Sequence, residues 1–107
     1  MMRTNKYGAK KVTAPDGQKF DSMKEYNRYC VLKLLQRGGK ISDLKRQVKF
    51  ELIPKQDGEL ACNYIADFTY YQNGEYIVED VKGCKTDVYK IKKKLMLWIH
   101  GIRITET

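Results

Sequence analysis

Asn73-Gly74 constrains this chain more than any other pair of residues in it. It lies between two runs rich in β-branched and aromatic residues, and Asn-Gly is the strongest short-range signal for a two-residue hairpin turn. With the turn at these residues, Gln72 pairs with Glu75. Counting down the ladder then sets Asp67 opposite Asp80, and Lys82 projects on the same face as Asp80. Carboxylates that face one another across a ladder repel. The arrangement persists only where positive charge lies between them, and a divalent cation with a lysine beside it is the obvious occupant.

The charged face carries Ile65, Asp67 and Thr69 opposite Lys82, Asp80 and Val78. The other carries Tyr64, Ala66, Phe68 and Tyr70 with Ile77 and Val81; apart from Glu79 it is apolar and reads as core. A second reading of the charged face is a solvated edge on which Lys82 bridges two exposed acids. Alternation puts Glu79 away from Asp67, so Asp80 is the candidate ligand. Glu79 reads as structural, or as the partner of a basic residue on a packed helix. Tyr64, Tyr70, Tyr71 and Tyr76 read as sheet packing.

Upstream, Lys11 to Ala14 and Gln18 to Phe20 flank Pro15-Asp16-Gly17, which reads as a small hairpin. Ser22-Met23-Lys24-Glu25 matches a capping box, and Met23, Tyr26, Cys30, Leu34 and Leu35 recur at helical spacing until Gly38-Gly39. Val48, Phe50 and Leu52 alternate with Gln47, Lys49 and Glu51, the pattern of a strand. After the hairpin of residues 62–82, Thr86 or Asp87 can cap a second helix with Val88, Ile91, Leu95, Trp98 and Ile99 on its buried stripe. Gly101 ends that helix, and Ile102 to Thr105 reads as a final strand. The order helix, three strands, helix, strand indicates an α/β fold with a mixed central sheet flanked by helices. Residues 1–21 are expected to form a basic arm and small hairpin, and residues 22–107 the domain proper.

A chain of 107 residues forms one domain with a modest core. Its net charge of +8 favours polyanions, nucleic acid foremost. No apolar run approaches the roughly 20 residues a membrane-spanning helix needs. The N-terminal residues are charged with no apolar stretch behind them, so no signal peptide is expected. Cys30, Cys62 and Cys84 are odd in number and form no C-x-x-C pair, which fits reduced thiols in a cytosolic setting. Their spacing to His100 does not match a zinc site.

Glu25 has two readings: it satisfies the Ser22 amide as the third residue of a capping box, or the helix packs on the sheet and aims it at the cation. An acidic residue on a first helix, then Asp67, then Asp80-Val81-Lys82 on successive strands, resembles the PD-(D/E)xK nuclease superfamily with its restriction-endonuclease-like core. The chain looks closer still to a phage and prophage family long carried as a domain of unknown function and placed in that superfamily. The resemblance runs through Asn5-Lys6-Tyr7-Gly8, Phe20-Asp21-Ser22 with Glu25, Ile41 to Gln47, Tyr64 to Phe68 and Val78 to Gly83. Ala66 departs from it, standing where the superfamily's name has proline.

The resemblance implies a DNA endonuclease that uses Mg²⁺ or Mn²⁺, encoded by a phage or prophage and acting in the bacterial cytoplasm. Asp67, Asp80 and the Val81 carbonyl would be ligands. Glu25 would bind directly or through a metal-bound water, and Lys82 would orient the attacking water. Hard oxygen ligands suit these cations. Lys85, Lys90, Lys93 and Lys94 follow the motif, with Lys90, Lys93 and Lys94 on one helix flank, placed for phosphate contacts. Lys10 and Lys11 are candidates for a basic arm, and Gln47 for a contact to phosphate or to the ion's waters. So small a domain favours branched DNA, such as Holliday junctions, over a long sequence site. The two symmetric cuts of a junction imply a homodimer. The alternatives are a non-catalytic nucleic-acid-binding module and a restriction- or transposase-type duplex endonuclease.

Overall fold

The computed structural model describes residues 10–81 and 85–107. A short antiparallel ribbon opens it, β1 (Val12–Thr13) and β2 (Lys19–Phe20), turning through Pro15-Asp16-Gly17. Then come α1 (Met23–Arg37), β3 (Ser42–Ile53), β4 (Cys62–Gln72), β5 (Glu75–Asp80), α2 (Asp87–His100) and β6 (Thr105–Glu106). β3 to β6 form one sheet in that spatial order. Its first two pairings are antiparallel, and β6 returns parallel to β5 after the α2 crossover. The chain is thus a mixed sheet flanked by two helices, in the order read from the sequence. The final strand is two residues long and falls later than the Ile102–Thr105 segment expected. Among the described residues, no helix is long and apolar enough to cross a membrane.

Local chemistry explains the element ends. The Ser22 hydroxyl accepts from the Glu25 amide at 3.1 Å and starts α1, and Thr86 does the same for Tyr89 in α2. α2 stops at Gly101, whose left-handed φ of 67° lets its amide and that of Ile102 close on the last turn.

The helices lie on opposite faces of the sheet. Leu32 of α1 packs with Ile41, Phe68 and Tyr70, against which Ile77 and Val81 also rest. Tyr89 and Met96 of α2 pack with Leu52, Tyr64, Ala66, Val78 and Ile104. Neighbours Ile77 and Val78 therefore point to opposite helices, as strand alternation requires. The single apolar face expected for Tyr64, Ala66, Phe68 and Tyr70 is split, because Tyr64 and Ala66 join the α2 side. The switch falls at Asp67, level with Gln47, whose φ of 53° interrupts the regular pleat of β3 between its pairs Arg46 with Phe68 and Val48 with Ala66.

Both helices also present a different side to the sheet from the one their apolar spacing indicates. In α1, Met23, Cys30 and Leu34 are exposed while Glu25 and Leu32 are buried. The buried side begins with charged residues, which a count of apolar positions passes over. In α2, Val88, Ile91, Trp98 and Ile99 are exposed while Tyr89 and Met96 are buried. Polar anchors set that rotation: the Tyr89 hydroxyl donates to Glu106 at 2.6 Å, Lys93 reaches the same carboxylate, and a His100 ring nitrogen meets the Glu51 carbonyl at 2.7 Å.

Candidate functional site

The hairpin holds the register counted from its turn. Asn73 and Gly74 both have positive φ, 53° and 78°, as a type I′ turn demands, and Gln72 pairs with Glu75. The ladder runs to Phe68 with Glu79, and one further step sets Asp67 across from Asp80. There the Asp67 Oδ2 accepts the Val81 amide at 2.8 Å. Asp80 is buried, its Oδ2 accepts the Tyr64 hydroxyl at 2.5 Å, and its backbone carbonyl accepts the Thr107 amide at 3.0 Å. Towards β5 the charged face is interior, with Thr69 and Val78 buried alongside Asp80, while Asp67 is half-buried and Ile65 exposed. Asp80 is thus not an exposed acid, and Lys82, the bridge in the solvated-edge reading, lies outside the described residues.

Burial, then the facing Asp80 carboxylate, pushes the Asp67 carboxyl up to about 8; Glu25 adds to the rise and the Val81 amide works against it. Burial, followed by the hydrogen bond to Asp80, raises the Tyr64 phenol. The like charges thus stand close in a poorly solvated place, and only hard oxygen donors are offered. Among the described residues no group of three or more His, Cys, Asp or Glu side chains is placed to hold a metal ion. Cys30 is exposed and Cys62 half-buried, as free thiols. An aspartate pair without a full protein cage fits Mg²⁺, which binds through one or two carboxylates and keeps several waters. It does not fit zinc.

Glu25 is brought towards this pair without joining it in a three-carboxylate cluster. The Ser22 hydroxyl caps the helix, while the buried Glu25 carboxylate turns to β3. It accepts from Gln47 Nε2 at 3.4 Å and lies 3.5 Å from an Arg46 guanidinium nitrogen. Burial and then Asp21 raise its pKa, with Arg46 and the Asp21 amide opposing. Gln47 sits between Arg46, paired with Phe68, and Val48, paired with Ala66, which puts it level with Asp67. Its φ is 53°, a left-handed value inside a strand. A non-glycine residue held there is strained, and such strain concentrates at functional sites. Arg46 is fixed over the Phe20 ring, 3.8 Å from its centroid, and donates to the Gln18 side chain and the Lys19 carbonyl.

Glu79 turns away from the pair, as alternation indicates. Arg28 of α1 grips it with two hydrogen bonds of 2.7 and 2.8 Å, and the Tyr70 hydroxyl adds a third at 2.6 Å. Glu79 raises the Arg28 pKa, and burial followed by the Glu79 bond pushes the Tyr70 phenol up to about 12.

Lys82 lies outside the described residues, as does Lys6 of the N-terminal segment. Lys85 and Lys93 converge on one oxygen of Glu106, each at 3.1 Å. Glu106 stands level with Asp80 in the parallel pairing, so the two lysines are held by the strand next to Asp80. The Tyr89 phenol first, then these lysines, holds the Glu106 carboxyl down at about 2. Lys90, Lys93 and Lys94 share a groove of about 320 Å³ with Leu97, Arg103 and Ile104. Lys10 and Lys11 are exposed at the start of the β1–β2 ribbon, a sheet separate from the one that carries Asp67 and Asp80.

Sequence reasoning missed Arg28, Arg46, Tyr89, Arg103 and Glu106, and took Tyr64 for packing alone. A two-residue strand has no periodicity to flag Glu106. The tyrosine hydroxyls matter only through partners distant in the chain. Counting three residues on from Glu25 would have placed Arg28 on the same side of α1.

The family described as "Protein of unknown function (DUF1064)" matches residues 4–101. No curated protein and no solved structure matches the chain.

Proposed function

The chain belongs to the DUF1064 family, and from that starting point we propose that it is a metal-dependent DNA endonuclease of the PD-(D/E)xK type. The observation that carries the proposal is the facing pair of buried Asp80 and half-buried Asp67, with the Asp67 carboxyl pushed up to about 8 by burial and by its neighbour. Two carboxylates held together where water solvates them poorly are each favoured in the charged form by a cation between them.

In this reading Asp67 and Asp80 hold Mg²⁺ or Mn²⁺, with the Val81 carbonyl as a further donor. When bound, the ion supplies Lewis acidity at the scissile phosphate and lowers the pKa of its water. Glu25 and Gln47 hydrogen-bond the water that attacks, Glu25 from one layer out rather than as a ligand. Arg46 opposes the rise in the Glu25 pKa and holds its carboxylate towards β3. Lys82 orients the water and offsets charge on the phosphate, a role that comes from the resemblance. Lys85, Lys90, Lys93, Lys94 and Arg103 contact flanking phosphates, and Lys10 and Lys11 extend the basic surface. Branched DNA in phage recombination or processing is the favoured substrate, cut by a homodimer in the bacterial cytoplasm.

Nicking of a four-way junction and of supercoiled plasmid with Mg²⁺ tests the proposal. Wild type cuts, and Asp80→Ala loses at least about 100-fold. Equal, metal-independent cutting by both proteins rejects it. Junction binding with no cutting by wild type favours the non-catalytic binding module, and preference for linear duplex favours a restriction- or transposase-type enzyme. Metal binding has its own readout: Mn²⁺ raises the melting temperature of wild type and leaves Asp67→Asn unmoved.

A further inference from the structure

The apolar residues of α2 that do not reach the core form an ordered row on its outer side. Val88, Ile91 and Trp98 are 62%, 57% and 83% exposed, Ile99 is exposed beside them, and Leu95 is half-buried between this row and the core. Val88, Ile91, Leu95 and Trp98 are spaced by three, four and three residues, the a and d positions of a helix-pairing seam. Ile65 of β4 is 52% exposed and lines a groove with Val88 and Lys92, which carries the patch onto the sheet. The exposed parts of Val88, Ile91, Trp98, Ile99 and Ile65 together come to roughly 500 Å² of apolar surface, within the range at which a bare patch marks an interaction site and close to the apolar share of one side of a standard interface.

We infer that a second copy of this chain covers the seam, α2 against α2, antiparallel about a two-fold axis. Three-four-three spacing reads the same in both directions, so the seam is its own complement under the rotation that an isologous dimer requires. Reversal sets Val88 against the partner's Trp98, the smallest side chain against the largest, and Ile91 against the partner's Leu95. A parallel pair would instead stack Trp98 on Trp98. The antiparallel pair also lays the positive N-terminal end of each helix beside the negative C-terminal end of the other. Asp87, in the first turn, comes level with the last turn of the partner, which ends in His100. Lys92 and Lys94 flank the seam and approach their symmetry mates near the axis, so added salt strengthens the dimer by screening them. The inference rests on the packing of α2 and needs neither metal nor nucleic acid.

Sedimentation equilibrium of the full chain, without metal or DNA, tests it. Wild type is expected at twice the 12.6 kDa chain mass, more fully so as salt rises from about 0.05 to about 0.5 M. Trp98→Glu and Ile91→Lys are expected at one chain mass with unchanged far-ultraviolet circular dichroism, since neither side chain supports the core. Trp98 is the single tryptophan of the chain, so its emission shifts to the blue as wild type is concentrated. A wild type that stays at one chain mass with water-exposed emission at every concentration overturns the inference. So does a folded Trp98→Glu that remains a dimer. Neither result bears on the Asp80→Ala nicking test, so failure of the interface and failure of the proposed activity remain distinguishable.

Discussion

Two kinds of desolvated carboxylate, Glu79 and Asp67, occur on neighbouring rungs of the β4–β5 ladder, and they predict opposite responses. Glu79 is fully satisfied by Arg28 and Tyr70. Removing one member of such a pair strands a charge in the interior. Arg28→Ala should therefore cost about 3 kcal/mol in urea unfolding, and Arg28→Met with Glu79→Leu should recover most of it. Asp67 is the reverse case, since its folded pKa of about 8 lies above the ordinary 3.8. Protonated Asp67 is favoured by the fold, so stability falls as pH rises from about 4 through about 8. Asp67→Asn should thus be more stable than wild type at about pH 9, with the gap closing by about pH 4, as read by thermal melts without metal. A larger gap at low pH would contradict this. Side-chain identity alone does not separate Glu79 from Asp80, which are adjacent acids. Their faces do, and the faces were legible because one turn fixes the count.

At the scale of elements, helix ends were legible, while the limits of β3 and β6 and the orientation of both helices were not. Ser22 and Thr86 start their helices and Gly38 and Gly101 stop them by bonds within a few residues. Such signals need nothing from the rest of the fold. The side each helix turns inward depends on partners far along the chain, Glu79 for Arg28 and Glu106 for Tyr89 and Lys93. In α1 those inward residues are charged, so a hydrophobic count selects the wrong stripe. The hairpin turn is the local device on which the site depends. Gly74 has φ 78° and open space where a Cβ would project, so Gly74→Ala costs backbone energy alone. A loss of about 1 kcal/mol is expected, with the β4–β5 register kept. Cross-strand amide contacts by NMR check the register, and a slip by one residue would separate Asp67 from Asp80.

For the whole molecule, the aspartate pair lies in the sheet between two helices that each contribute to it: α1 sends in Glu25, and α2 brings Tyr89 and Lys93 to Glu106 beside Asp80. On the proposed function, a net charge of +8 predicts a DNA affinity that falls with salt. If Lys90 and Lys94 contact phosphates, the double change Lys90→Ala, Lys94→Ala should flatten the plot of log affinity against log salt by about 2 units of slope, uniformly across DNA sequences. An unchanged slope would move the DNA path elsewhere. The sheet order leaves β3, twelve residues long, paired on one side only. A strand of that length offers a template on which other molecules could add as further strands and grow into fibres. Here the template is spoiled. Asp43 and Gln47 break its backbone with left-handed φ values of 55° and 53°, and Asp43, Lys45, Lys49 and Glu51 line it with exposed charge. The kink at Gln47, whose side chain donates to Glu25, thus also denies neighbouring chains a straight edge to extend.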